Sequence, residues 1–153
     1  MKGTLDWQEI VADATVGMMR HVKHAARNDK HKHGGVGDAP WDVDIESACA
    51  EDFVAKMLGL RWHHGSDGAT DVGPYQVRHT MLGDGRLILH PDDKDDEIFI
   101  LVTGRAPTFE IVGWCKGGEG KQKDFWGDPT QMNRPAFFVP RSALHDIGQL
   151  PKP

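Results

Sequence analysis

With 153 residues, 39% of them hydrophobic and 27% charged, the chain suits one domain around a single substantial core and is neither disordered nor membranous. No apolar run approaches the roughly 18 residues of a bilayer span, and the N-terminus lacks a signal-peptide pattern, so a cytoplasmic protein is expected. A net charge of -5 excludes a basic coat over the whole surface but not a local basic groove, and two cysteines, Cys49 and Cys115, are too few for a disulfide framework or a thiolate zinc site.

Along the chain, Leu5, Trp7, Ile10, Val11, Ala14, Met18 and Val22 recur at three- and four-residue steps and predict a helix over 4–27 with Thr4 as N-cap. Arg20, Lys23, Arg27, Lys30 and Lys32 then gather against Asp29 alone, with His21, His24, His31 and His33 among them. Residues 28–40, the densest mix of Gly, Lys and His, read as a loop or hinge. The four histidines could capture zinc or nickel, although histidines among lysines on a solvated helix end are commoner. A second helix is expected over 42–58, ended by Gly59. Strands are expected in a hairpin over 71–80 and over 86–90, 97–103, 108–115 and 136–139. A turn with a short helical segment falls within GGEGKQKDFW, and a closing helix over 140–150. The acids Asp92, Asp93, Asp95, Asp96 and Glu97 lack the pattern of a calcium loop and read as a solvated turn. No repeat or domain boundary is evident. The chain reads as a single domain over 1–153, in which 1–40 hold the first helix and the His/Lys-rich loop and 41–150 the core.

Two stretches carry chemistry. On the second helix, Cys49, Phe53 and Met57 form an apolar stripe that Ala48, Val54, Ala55 and Leu58 continue, with Asp52 and Lys56 to solvent. Glu51 falls inside the apolar arc. A carboxylate facing the interior costs several kcal/mol unless paired, hydrogen-bonded or metal-bound, so Glu51 needs a partner: an arginine such as Arg78, or a cation. In DVGPYQVRHT, over 71–80, Asp71 precedes a Gly73-Pro74 turn. Gln76 and Arg78 then share one strand face, with Tyr75 and Val77 on the other. An acid delivered to a polar i, i+2 pair can hold a divalent cation against a phosphate; an ordinary hairpin with one wet face has the same pattern.

An inward Glu on a helix, then an Asp, then a polar-x-basic pair resembles the PD-(D/E)XK (restriction-endonuclease-like) nuclease superfamily. The wider text AEDFVAKMLGLRW, DVGPYQVR, LILHPDD, FEIVGW and FFVP is similar to a small branch seen in bacteriophage genomes. The resemblance covers roughly residues 42–150. It implies an α/β (α+β) fold, a mixed central sheet flanked by helices, and magnesium-dependent hydrolysis of DNA phosphodiesters, with manganese as the alternative ion. Matched by position, Glu51 is the helix acid and Asp71 the metal-binding Asp, Gln76 stands where the second acid is usual, and Arg78 where the lysine is. Glu51, Asp71 and Gln76 would hold the ion. Gln76 ligates without charge and weakens that site. Arg78 cannot act as a general base, but it can grip a phosphate bidentately.

Lys116, Lys121 and Lys123 would line a phosphate-contacting edge, with Phe125 or Trp126 to stack on a base; Trp126 equally suits a hydrophobic anchor. His63, His64, His79 and His90 show no paired metal-ligand spacing and read as surface or supporting residues. Beside the nuclease stand two other readings. One is a non-catalytic DNA-binding or regulatory phage protein on the same fold. The other is an inhibitor of a host protein acting through the His/Lys-rich segment. A homodimer is an open expectation.

Overall fold

The computed structural model describes residues 1–27, 40–64, 69–129 and 134–153. Elements run in the order β1 (Lys2–Thr4), α1 (Trp7–Ala26), α2 (Pro40–Leu58), β2 (Tyr75–Thr80), β3 (Leu87–Leu89), β4 (Ile98–Arg105), β5 (Thr108–Lys116), α3 (Gly117–Gly120), β6 (Trp126–Gly127) and β7 (Ala136–Val139). The fold is mixed α+β. Among the described residues, one sheet has the order β1-β5-β4-β2 and a second the order β3-β7-β6. In the first, β1–β5 and β5–β4 run antiparallel while β4–β2 is parallel, Tyr75 opposite Ile98 and Thr80 opposite Thr103.

The layers follow from which side chains are apolar on both faces. β4 reads IFILVTGR and is buried through its middle, the pattern of a strand covered on both sides. On one side Ile100 and Val102 join Cys49, Ala50, Phe53 and Val54 of α2 with Tyr75, Val77, Phe109 and Ile111. On the other, Phe99 and Leu101 join Leu87, Leu89, Cys115 and Val139 beneath the second sheet. Helices thus cover one face of the larger sheet and the smaller sheet covers the other. α1 lies outside α2.

Predicted elements differ from the observed ones at the ends of the chain. Thr4 is not the cap of α1: it pairs with Thr108 in β1, a strand the sequence reading did not include. Asp6 caps instead, accepting from the Gln8 and Glu9 N–H groups, while Glu9 returns to the Asp6 N–H at 2.6 Å. The closing helix is absent; 3-10 turns at Arg141–Ala143 and Ile147–Gln149 take its place. The tail is held by tertiary bonds, Trp114 Nε1 donating to the Asp146 carbonyl at 3.0 Å and the Tyr75 hydroxyl to that of Pro151. α2 ends at Leu58 as expected, followed by Gly59 at φ 65°. The predicted loop at 28–40, with His31 and His33, lies outside the described residues except for Pro40.

The apolar periodicity of α1 marks a shared face but not the inner one. Trp7, Val11, Met18 and Val22 are exposed. The helix turns Asp13 and Gly17 inward, with Ile10, Arg20 and His21 partly covered. A Cβ on Gly17 would stand 2.6 Å from the Ile45 Cα and 2.7 Å from the Asp44 carbonyl oxygen, so a glycine is what lets the two helices cross here. No helix among the described residues is long and apolar enough to cross a membrane.

Candidate functional site

Glu51 is buried on α2, and its partner comes from α1. Arg20 donates from Nη1 to Oε1 at 2.8 Å and from Nη2 to Oε2 at 2.5 Å, a two-pronged ion pair. Trp62 Nε1 adds a third bond to Oε2 at 2.8 Å, and the Arg20 guanidinium lies 5.9 Å from the Trp62 ring centre. Burial alone would lower the Arg20 pKa, but the bonds and charge of Glu51 outweigh it and raise it. The arginine expected for Glu51 exists, and it is Arg20 rather than Arg78.

Asp71 sits where the chain turns into β2. Its Oδ2 accepts the Val77 N–H at 2.8 Å, and the turn is closed by paired bonds between Val72 and Tyr75 with Gly73 at φ 52°. Burial and the neighbouring Glu51 carboxylate push the Asp71 carboxyl up to about 6, against the pull of the Val77 bond, Arg78 and Arg20. Asp71 therefore links the two halves of the predicted site electrostatically.

Gln76 and Arg78 share one face of β2, as alternation requires, and that face is turned away from α2. Gln76 Nε2 donates to Glu97 Oε2 at 3.2 Å. Arg78 Nη2 donates to Asp93 Oδ1 at 2.9 Å, its guanidinium lies 4.9 Å from the Phe99 ring centre, and its Nε is buried with no hydrogen-bond partner among the described residues. The structure thus joins Glu51 to Arg20 and Trp62 on the helix side, Gln76 and Arg78 to Glu97 and Asp93 on the other, and leaves Asp71 between them.

A divalent cation needs oxygen donors free to converge on it. Both Glu51 oxygens are committed to a guanidinium, which supplies the positive charge an ion would bring. Gln76 points its amide toward Glu97. In this arrangement Glu51 and Gln76 do not converge on one point, and a magnesium ion would have to displace Arg20 from Glu51.

The three lysines behave differently from one another. Lys121 Nζ is tied to Asp95 Oδ1 at 2.9 Å, to the Pro91 carbonyl at 3.2 Å and to the Asp93 carbonyl, so it pins the acidic turn. Lys116 and Lys123 are exposed. Trp126 is half exposed and meets Phe137 edge-on, ring centres 4.8 Å apart. His79 is half-buried, and burial lowers its pKa, partly opposed by its bond with the Gly104 carbonyl at 2.9 Å.

The sequence reading missed the role of Arg20 and the cleft beside it. Asp13, Gly17, Arg20 and His24 recur at four- and three-residue steps, a polar stripe that would have pointed to a polar helix interface. The cleft, about 490 Å³, is lined by Arg61, Trp62, His63, His64 and Ala69. The Trp62 and His64 rings are 4.4 Å apart, and His63 Nδ1 lies 2.6 Å from the Thr70 carbonyl. Through Trp62, this cationic and aromatic cleft adjoins the Arg20–Glu51 pair. Compared with known proteins, the chain matches no family model, no curated protein and no solved structure.

Proposed function

We propose that this protein binds DNA on a PD-(D/E)XK-like frame, gripping the strand at the cleft beside Trp62 rather than cutting it. The observation that carries the reading is the cleft itself: a tryptophan and a histidine ring side by side, with Arg61 and His63 on its walls. Aromatic faces that stack on bases, next to cationic groups that meet phosphates, are the usual means of holding single-stranded nucleic acid. The resemblance of Glu51, Asp71, Gln76 and Arg78 to the nuclease motif supports the same substrate class. The Arg20–Glu51 pair and the uncharged Gln76 favour binding over hydrolysis.

Magnesium- or manganese-dependent phosphodiester hydrolysis is the second reading. The Asp71 carboxyl, raised by burial and by Glu51, favours it, because a cation that took the place of Arg20 would meet two neighbouring carboxylates. In that case Arg78 would hold the phosphate.

One experiment separates the readings. Anisotropy titrations with labelled single- and double-stranded DNA would compare wild type with Trp62→Ala and Trp62→Phe, and the same DNAs would be incubated with magnesium, manganese or chelator alongside Asp71→Ala and Gln76→Glu. Expected results are salt-sensitive binding, a loss of about tenfold or more in Trp62→Ala, near-wild-type binding in Trp62→Phe, and no cleavage. Metal-dependent cleavage abolished by Asp71→Ala would promote the second reading. No DNA binding and no cleavage would sink both.

A further inference from the structure

α1 spends its apolar side chains on the outside. Trp7 is 72% exposed, Val11 59%, Met18 48%, Met19 68% and Val22 57%. At 3.6 residues per turn, Trp7, Val11, Ala14, Met18 and Val22 fall within an arc of about 80°, one unbroken stripe along the 20-residue helix. Trp41 at the start of α2, 43% exposed and stacked on His21 at 4.1 Å, extends the apolar surface. The exposed parts of these side chains amount to on the order of 600 Å², beyond what scattered surface residues present and close to the ~800 Å² each partner contributes to a standard interface.

We infer that this stripe is a self-association surface, on which α1 of a second copy lies antiparallel about a two-fold axis passing near Ala14 and Thr15. The stripe is arranged symmetrically about that point. Small residues, Ala14 and Thr15, occupy its centre, so two helices can approach there. An antiparallel partner sets Val11 against Met18 and Trp7 against Val22, and the symmetry repeats each contact. The inner face of α1, with Asp13, Gly17 and Arg20, is already occupied by α2, which leaves the outer face for the second copy.

The test uses the full chain. Sedimentation equilibrium from about 1 to 200 µM should show a monomer–dimer equilibrium, and Val11→Lys with Met18→Lys should weaken it at least about tenfold, since charges would be placed in the seam. Both positions are exposed, and unchanged far-UV circular dichroism would establish that the variant is folded. In a second, independent arm, Val11→Cys and Met18→Cys chains are mixed and oxidised; the native Cys49 and Cys115 are buried and do not compete. The mixed 11–18 disulfide should form faster than either homodisulfide. A monomer at every concentration would overturn the inference and point to a partner of different sequence. A dimer indifferent to the lysines, or one that prefers 11–11 and 18–18 crosslinks, would overturn the surface or the antiparallel arrangement.

Discussion

Glu51 and Asp13 are both buried between α1 and α2, and they meet opposite circumstances. Glu51 has the Arg20 fork and the Trp62 N–H; Asp13 Oδ2 has no hydrogen-bond partner among the described residues. Removing Arg20 would leave a buried carboxylate uncompensated, so Arg20→Ala is expected to cost about 3–5 kcal/mol in urea unfolding at pH 7, with Glu51→Gln in the same chain recovering part of it. A loss below about 1 kcal/mol would mean that this pair does not anchor α1. For Asp13, burial first, then the charges of Asp52, Glu9 and Glu51, push the carboxyl from 3.8 up to about 7, opposed by a bond from Cys49. The folded protein then holds this proton more tightly than the unfolded chain does, so the Asp13 contribution to stability falls as pH rises from about 4 to about 7 and is level above. Asp13→Asn should therefore be more stable than wild type at pH 8, by on the order of 1–3 kcal/mol, with a smaller gain at pH 5. An equal gain at both would locate the effect elsewhere than in this proton.

At the scale of elements, helix propensity and packing make opposite predictions at Gly17. In an exposed helix, Gly to Ala stabilises by about 0.8–1 kcal/mol. Here the added Cβ would meet the backbone of Asp44 and Ile45, which cannot swing aside as a flexible side chain would. Gly17→Ala is expected to lower stability by about 1–3 kcal/mol, read as a fall in the thermal midpoint. A rise would show that α1 can back away from α2 at little cost. Periodicity located both long helices because 3.6-residue recurrence survives any packing partner. It said nothing of which face packs inward. The cap of α1 was misplaced because Thr4 and Asp6 both suit that role locally, and only the pairing of Lys2–Thr4 with β5 decides between them. The closing segment was read as a helix because Pro140 starts one well. Its carbonyls and N–H groups instead bond to Trp114 and within two short turns, contacts no local pattern encodes.

For the molecule as a whole, the mixed α+β class, the strand segments and the shared face of Gln76 and Arg78 were legible, since each depends on composition or on the two-residue period of a strand. So was the burial of Glu51, since its neighbours on the helix are apolar. What the sequence determined by itself, then, is where the two long helices and the strands from β2 to β5 and β7 lie, which of their residues share a face, and that one buried acid must find a partner. The tertiary structure alone decided that the partner is Arg20, 31 residues away, that Trp62 completes it, that Gln76 and Arg78 face Glu97 and Asp93, and that the apolar stripe of α1 points outward. The physical reason is range. Backbone periods and turns act over a few residues, whereas charge pairing and burial are settled by surfaces that meet only after the chain has closed on itself.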